Sequence, residues 1–174
     1  HKDHNLKITK EVITLKNNNN CQVYIEEEIS SKVSEAKILN KDSVVDFALV
    51  LGGDGTMLQA AADLADLTVP FLGINLGTLG FLAEVNKTDI EHALLRLIEG
   101  DYEIEKRMML TGDVFQKGRD MPEDSTQALN DIVITRKGSL QIIIFTISVN
   151  GQFLHRYSAD GMIVATPTGS TGYN

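Results

Sequence analysis

A single cysteine, Cys21, stands in the 174-residue chain. It has no internal partner for a disulfide, which fits a reducing, cytoplasmic setting. The four histidines, His1, His4, His92 and His155, do not fall at metal-ligand spacing, so no protein-held metal site is expected. Nowhere do about 18 apolar residues run together, so no transmembrane helix is expected, and the polar stretch His1 to Lys10 lacks the apolar core of a signal peptide. Basic residues are in deficit: 16 Lys and Arg face 24 Asp and Glu, for a net charge of −8. Nucleic acid and anionic membrane demand a basic face, so neither is an expected partner. A small phosphate ligand held by backbone N–H groups stays open.

What remains is an ordinary globular composition, long enough for one domain with a core or for one domain and part of a second. Asn5 to Lys16 has helical spacing at Leu6, Val12, Ile13 and Leu15, and Cys21 to Ile25 leans to strand. Glu26 to Asn40 carries only a weak helical pattern. Phe47 to Leu51 is a continuous apolar run leading straight into Gly52-Gly53-Asp54-Gly55-Thr56, after which Met57, Leu58, Ala61, Leu64, Ala65 and Leu67 recur at helical spacing. With the apolar run Val69 to Ile74 this predicts a βαβ unit and a buried parallel sheet. A second glycine-rich turn, Asn75 to Gly80, precedes a helix that Thr88 and Glu91 are placed to cap as a capping box and Gly100 to end.

Beyond residue 101 the texture turns to β. Met108 to Phe115, Ile132 to Thr135, Gln141 to Val149, Phe153 to Tyr157 and Met162 to Ala165 read as strands, Lys117 to Thr126 as a polar loop, and Asn150-Gly151 as a hairpin turn. The expected architecture is therefore an α/β domain with a parallel sheet over residues 1–101, followed by the start of a mostly β domain over residues 102–174. The polar opening and the stop after a turn-rich segment lead us to expect a chain incomplete at both ends.

The turn at residues 52–56 carries the chemistry. Glycines let backbone approach an anion, and the helix that follows offers unpaired N–H groups and a positive dipole end. A carboxylate there can accept a proton from a hydroxyl or steady a magnesium-bound phosphate. The pattern alone is equally compatible with a tight turn whose Asp54 caps the helix. It is not a Walker A loop, because no Gly-Lys-Ser/Thr follows.

Gly52 to Thr56 after an apolar strand resembles the signature of a kinase superfamily that includes NAD, diacylglycerol and sphingosine kinases. Three further segments, Gly73 to Leu82, Ala128 to Asp131 and Asp160 to Tyr173, resemble NAD kinases in particular. The resemblance implies transfer of the terminal phosphate of ATP, or of polyphosphate, to the 2′-hydroxyl of the adenosine ribose of NAD, with Mg²⁺ accompanying ATP. It implies Asp54 as general base, with Gly53, Gly55 and Thr56 completing the binding turn. Phe81 and Leu82 fall at an adenine pocket, though by pattern alone Phe81 reads as core. Asn130 and Asp131 fall at an Asn-Glu pair that bonds NAD, though locally they read as a turn. Asp160 falls at a ribose contact, Thr168, Thr171 and Tyr173 near the adenine, and Ser158 just upstream, though Thr166 to Thr171 has the composition of a polar surface loop. Two residues depart from the pattern: Asp131 stands for glutamate and Gly172 for alanine. The family also implies a cytoplasmic homo-oligomer. The competing readings are a lipid kinase of the same superfamily and a nucleotide-binding module without turnover.

Overall fold

A computed structural model describes residues 3, 6–40, 42–65, 67–77, 80–138 and 142–172. The chain divides into two compact units, His1–Glu105 and Lys106–Asn174.

The first unit begins with helix α1 (Lys7–Asn18). Its N-terminus is held by Asp3, whose carboxylate accepts from the backbone N–H of Ile8 at 3.0 Å and of Thr9 at 2.9 Å, and from the Thr9 hydroxyl at 2.7 Å. The helix wedges between two clusters. Ile13 meets Leu6, Ile25 and Val33, whereas Val12 meets Ile74, Ile90 and Leu94. The apolar spacing read from the sequence thus serves two cores.

After α1 come strand β1 (Tyr24–Ile25), the single turn α2 (Glu27–Ser30) and strand β2 (Lys37–Ile38), parallel to β1. The weak helical pattern of residues 26–40 therefore resolves into one helical turn and a short strand. Next comes the βαβ unit: β3 (Ala48–Gly52), α3 (Asp54–Asp63) and β4 (Phe71–Asn75), with β3 and β4 parallel from Ala48↔Phe71 to Gly52↔Asn75. A third parallel strand, β5 (Val85–Asn86), extends the sheet, and helix α4 (Ile90–Glu99) packs Ile90 and Leu94 onto Ile74. The capping box does not form: Asp89 occupies the N-cap position and no side chain bonds there. Gly100 does end the helix, left-handed at φ 79°. A cavity of about 840 Å³ lies between β1 and β3, bordered by Val12 and Lys16 of α1, Tyr24 and Ile25, and Leu49 and Leu51.

The second unit is antiparallel. Strands β6 (Leu110–Val114) and β7 (Asp124–Ala128) pair, as do β8 (Asp131–Thr135) and β11 (Gly161–Ala165). Strands β9 (Ile143–Val149) and β10 (Gln152–Ala159) form a hairpin. The hairpin turns on Asn150 (φ 53°) and Gly151 (φ 79°), both left-handed, as the Asn-Gly pair predicts. The loop read over Lys117 to Thr126 stops short in the structure: β7 begins at Asp124, its polar sequence made strand by pairing with β6. A last turn, α5 (Pro167–Ser170), ends the described chain. Among the described residues Leu129 is the one buried hydrophobic side chain of this unit, so the main core belongs to the first. No helix among the described residues is long and apolar enough to cross a membrane.

Candidate functional site

In the first unit the strand–turn–helix is built by close approach. A Cβ on Gly52 would overlap the Thr56 side chain, so the turn closes only on glycine. Gly53 is the extended N-cap of α3 and makes no side-chain cap, while its carbonyl accepts from Thr56 and Met57. Asp54 is thus the first helical residue and does not cap its own helix. Its carboxylate instead accepts three backbone N–H groups of the second glycine-rich segment: Phe81 at 2.7 Å, Leu82 at 2.9 Å and Ala83 at 3.3 Å. Gly80 makes this possible, because any Cβ there would run into that carboxylate. Gly73 likewise lets Ala83 pack against β4.

Partial burial raises the Asp54 carboxyl, but the three N–H donors outweigh it and hold it below the ordinary aspartate value. A carboxylate offers about four lone-pair positions, so three bonds leave about one for a hydroxyl. Phe81, 58% exposed, is a surface ring and not core. Gly55 and Thr56 are exposed on the first turn of α3, and nothing lies within 4 Å of where a Gly55 Cβ would stand. The 840 Å³ cavity is lined by Thr56, but not by Asp54, Phe81 or Leu82.

In the second unit, Asn130 lies in the bend between β7 and β8, as the turn reading anticipated, whereas Asp131 is already the first residue of β8, paired with Ala165. The Asn130 carbonyl accepts from Thr166 N–H at 2.8 Å, and Gly169 lies so close to the Asn130 backbone that no side chain fits there. Thr168 is half-buried, and its hydroxyl accepts from Arg107 Nη1 at 3.3 Å. Thr171 is the exposed C-cap of α5. Asp160, between β10 and β11, pairs with Arg136 Nη1 at 2.9 Å, and its carbonyl accepts the Arg136 N–H. Ser158 is exposed on β10 opposite Ile144. Tyr173 lies outside the described residues.

The expected residues therefore gather in two places: Asp54 with Phe81 and Leu82 in one unit, Asn130 with the Thr168 turn in the other. Sequence reasoning missed the residues that hold each group together within its own unit, namely Gly80 and Ala83 in the first and Thr166, Gly169 and Arg107 in the second. Thr166 before Pro167 had a legible signal, since an N-cap threonine followed by proline at the first helical position marks a helix start. Among the described residues no group of three or more His, Cys, Asp or Glu could hold a metal ion.

Residues 2–102 match the ATP-NAD kinase N-terminal domain and residues 129–174 the ATP-NAD kinase C-terminal domain. The chain is similar to the NAD kinase of Lachnoclostridium phytofermentans, 45% identical over 173 residues, covering 99% of this chain and 61% of that protein. It is 52% identical over 126 residues to the NAD kinase of Agathobacter rectalis, covering 72% of this chain and 43% of that one. In structure it resembles yeast NADH kinase complexed with NADH, with TM-score 0.86 and 26% identity over 97% of this chain and 55% of the other. It also resembles an NAD kinase from Archaeoglobus fulgidus in complex with ATP, with TM-score 0.60 and 27% identity over 87% of this chain and 62% of the other.

Proposed function

This chain belongs to the NAD kinase family, and from that membership we propose that it phosphorylates the 2′-hydroxyl of the adenosine ribose of NAD with ATP as donor. The ribose oxygen forms a bond to the terminal phosphorus, the bond from that phosphorus to the bridging oxygen of ADP breaks, and the hydroxyl proton leaves to a base. The chain spans 61% of the length of its Lachnoclostridium relative, so this is a reading for the whole enzyme carried by the residues present. The NADH complex of the yeast neighbour supports a dinucleotide acceptor, and the ATP complex of the archaeal neighbour supports the donor.

The observation that carries the reading is the Asp54 carboxylate, fixed by three N–H bonds with one acceptor position to spare. We assign it to the substrate hydroxyl, which it orients and whose proton it accepts. Its depressed pKa makes it a weak base. That suits a loose phosphoryl transfer, in which charge on the nucleophile develops late and positioning supplies most of the rate. Mg²⁺ arrives with ATP as part of the substrate. Asn130, Asp131, Asp160, Thr168 and Thr171 are proposed to hold the dinucleotide, their amides, carboxylates and hydroxyls matching its hydroxyl-rich surface. Assembly as a homo-oligomer is a further proposal, which light scattering would read.

Transfer of labelled terminal phosphate from Mg-ATP to NAD tests the reading, with diacylglycerol as a second acceptor. Label in NADP supports it. Binding of NAD without label transfer points to a nucleotide-binding module, and label in the lipid alone overturns it.

A further inference from the structure

We propose that Thr166 is a positioning residue for dinucleotide binding, acting as a two-way strut that holds the Asn130 loop against the Thr168 turn. This rests on the dinucleotide role given above to Asn130 and Thr168.

The β8–β11 ladder ends at the pair Ala165↔Asp131. One residue further on, both chains leave the sheet: one toward Asn130 and Leu129, the other into α5. Thr166 spans this fork with three bonds of its N–H and hydroxyl, while its carbonyl accepts the Ser170 N–H at 2.9 Å. Its N–H donates to the Asn130 carbonyl at 2.8 Å, and its hydroxyl donates to the Leu129 carbonyl at 2.6 Å. The same hydroxyl accepts the Gly169 N–H at 3.1 Å, which caps α5. The residue is 1% exposed, and the Leu129 side chain is buried beside it.

A hydroxyl has one hydrogen to donate, and the Leu129 carbonyl takes it. The group is buried and committed inward, so it has no part as a direct ligand contact. What it sets is distance and angle. Gly169 adds to the lock by letting α5 rest directly on the Asn130 backbone. Arg107 then steadies the outer side of the turn through the Thr168 hydroxyl. The consequence is that the Asn130 amide and the Thr168 hydroxyl belong to one rigid platform, although 38 residues separate them in sequence. A ligand that needs both groups benefits from that preorganisation, because freedom lost in advance is not lost on binding.

Thr166→Val keeps the shape and removes both hydroxyl bonds, whereas Thr166→Ser keeps the bonds and loses a methyl group. The experiment compares wild type with both variants in the full chain. It measures Kd for NAD by calorimetry and KM for NAD and ATP separately, below the melting temperature of every variant. Expected for valine is a rise of about tenfold in Kd and KM for NAD, because part of the cost of the two lost hydroxyl bonds is carried into binding. KM for ATP and kcat should stay within about threefold, and serine should sit within about twofold of wild type. Valine binding NAD as wild type does, KM rising equally for both substrates, or serine behaving like valine would each overturn the assignment. If valine does not fold, Thr166→Cys takes its place. Its weaker donor should give an intermediate shift confined to NAD, and no shift would overturn the strut. A wild-type chain that neither binds nor phosphorylates NAD would instead overturn the functional reading, and this assignment with it.

Discussion

The Oδ2 of Asp54 accepts the backbone N–H of Phe81 at 2.7 Å across 27 residues of sequence. That bond joins the first helical residue of α3 to the segment that follows β4, so one carboxylate ties together both glycine-rich turns. The proposed catalytic group and the proposed adenine pocket are therefore one mechanical unit, with consequences for how each responds to substitution.

Asp54→Asn should lower kcat by about 10²–10⁴-fold, the range of positioned acid–base assistance. It should also cost stability. An amide cannot present two acceptor oxygens, so its NH₂ would face the N–H of Phe81 or of Leu82, at about 1 kcal/mol or more per bond lost. Kinetics and thermal melts on the same preparation check this. A full loss of turnover with no change in melting temperature would show that the three N–H bonds carry little weight; a large loss of stability with kcat retained would make Asp54 a structural clasp only.

Acid should spare this clasp. The folded-state pKa of Asp54 lies below its ordinary value, so its contribution to stability is present above the unfolded pKa and is lost as pH falls through the lower folded one. Asp3 behaves alike: burial raises its carboxyl, but Thr9 and the N–H groups of α1 lower it further. The acid limb of the rate profile that belongs to Asp54 should fall below about pH 4, the ordinary aspartate value. Melting temperature should hold down to the same range. An acid limb above about pH 5 that disappears in a variant of Asp54 would contradict the assigned shift.

Gly80→Ala and Gly55→Ala should separate sterics from ligand approach. A Cβ at Gly80 meets the Asp54 carboxylate, which is pinned on three donors, so strain of about 1–3 kcal/mol and loss of activity are expected. A Cβ at Gly55 meets nothing within 4 Å. That variant should melt within about 0.5 kcal/mol of wild type while its KM for ATP rises, the outcome required if this turn has the phosphate-binding role proposed for it. Equal KM in Gly55→Ala and wild type would remove the phosphate role from this turn.

Asp131→Glu should improve NAD binding. Asp131 opens β8 beside Asn130, and in the sequence pattern a glutamate reaches about one methylene further. The expected result is a KM for NAD reduced about threefold at unchanged kcat, because the longer carboxylate would meet directly a ligand group that the shorter one would reach only through water. A raised KM would mean that the shorter side chain is the fitted one.

The elements that were readable from sequence are those whose causes are local. Phe47 to Leu51 running into glycines, and Asn150-Gly151 between β-branched runs, carry their geometry in adjacent residues. Strand β7 was not readable, because Asp124-Ser125-Thr126-Gln127 has no apolar alternation and is made strand by β6. Strand β5 has two residues and exists through its pairing with β4. Thr88 and Glu91 have the spacing of a capping box, but the N-cap of the helix is Asp89, at φ −109° and ψ 7°, one residue past Thr88, which leaves the box unformed.

The sequence by itself determined the α/β-then-β architecture and the family, and it singled out the side chains proposed to bear chemistry. Only the tertiary structure decided where those side chains point. The partners of Asp54 are backbone N–H groups of Phe81, Leu82 and Ala83, and those of Thr166 are the backbone of Leu129, Asn130 and Gly169. Every residue but proline carries the same N–H and C=O, so no residue identity marks which of them will be met. That choice is made when strands from distant parts of the chain come side by side.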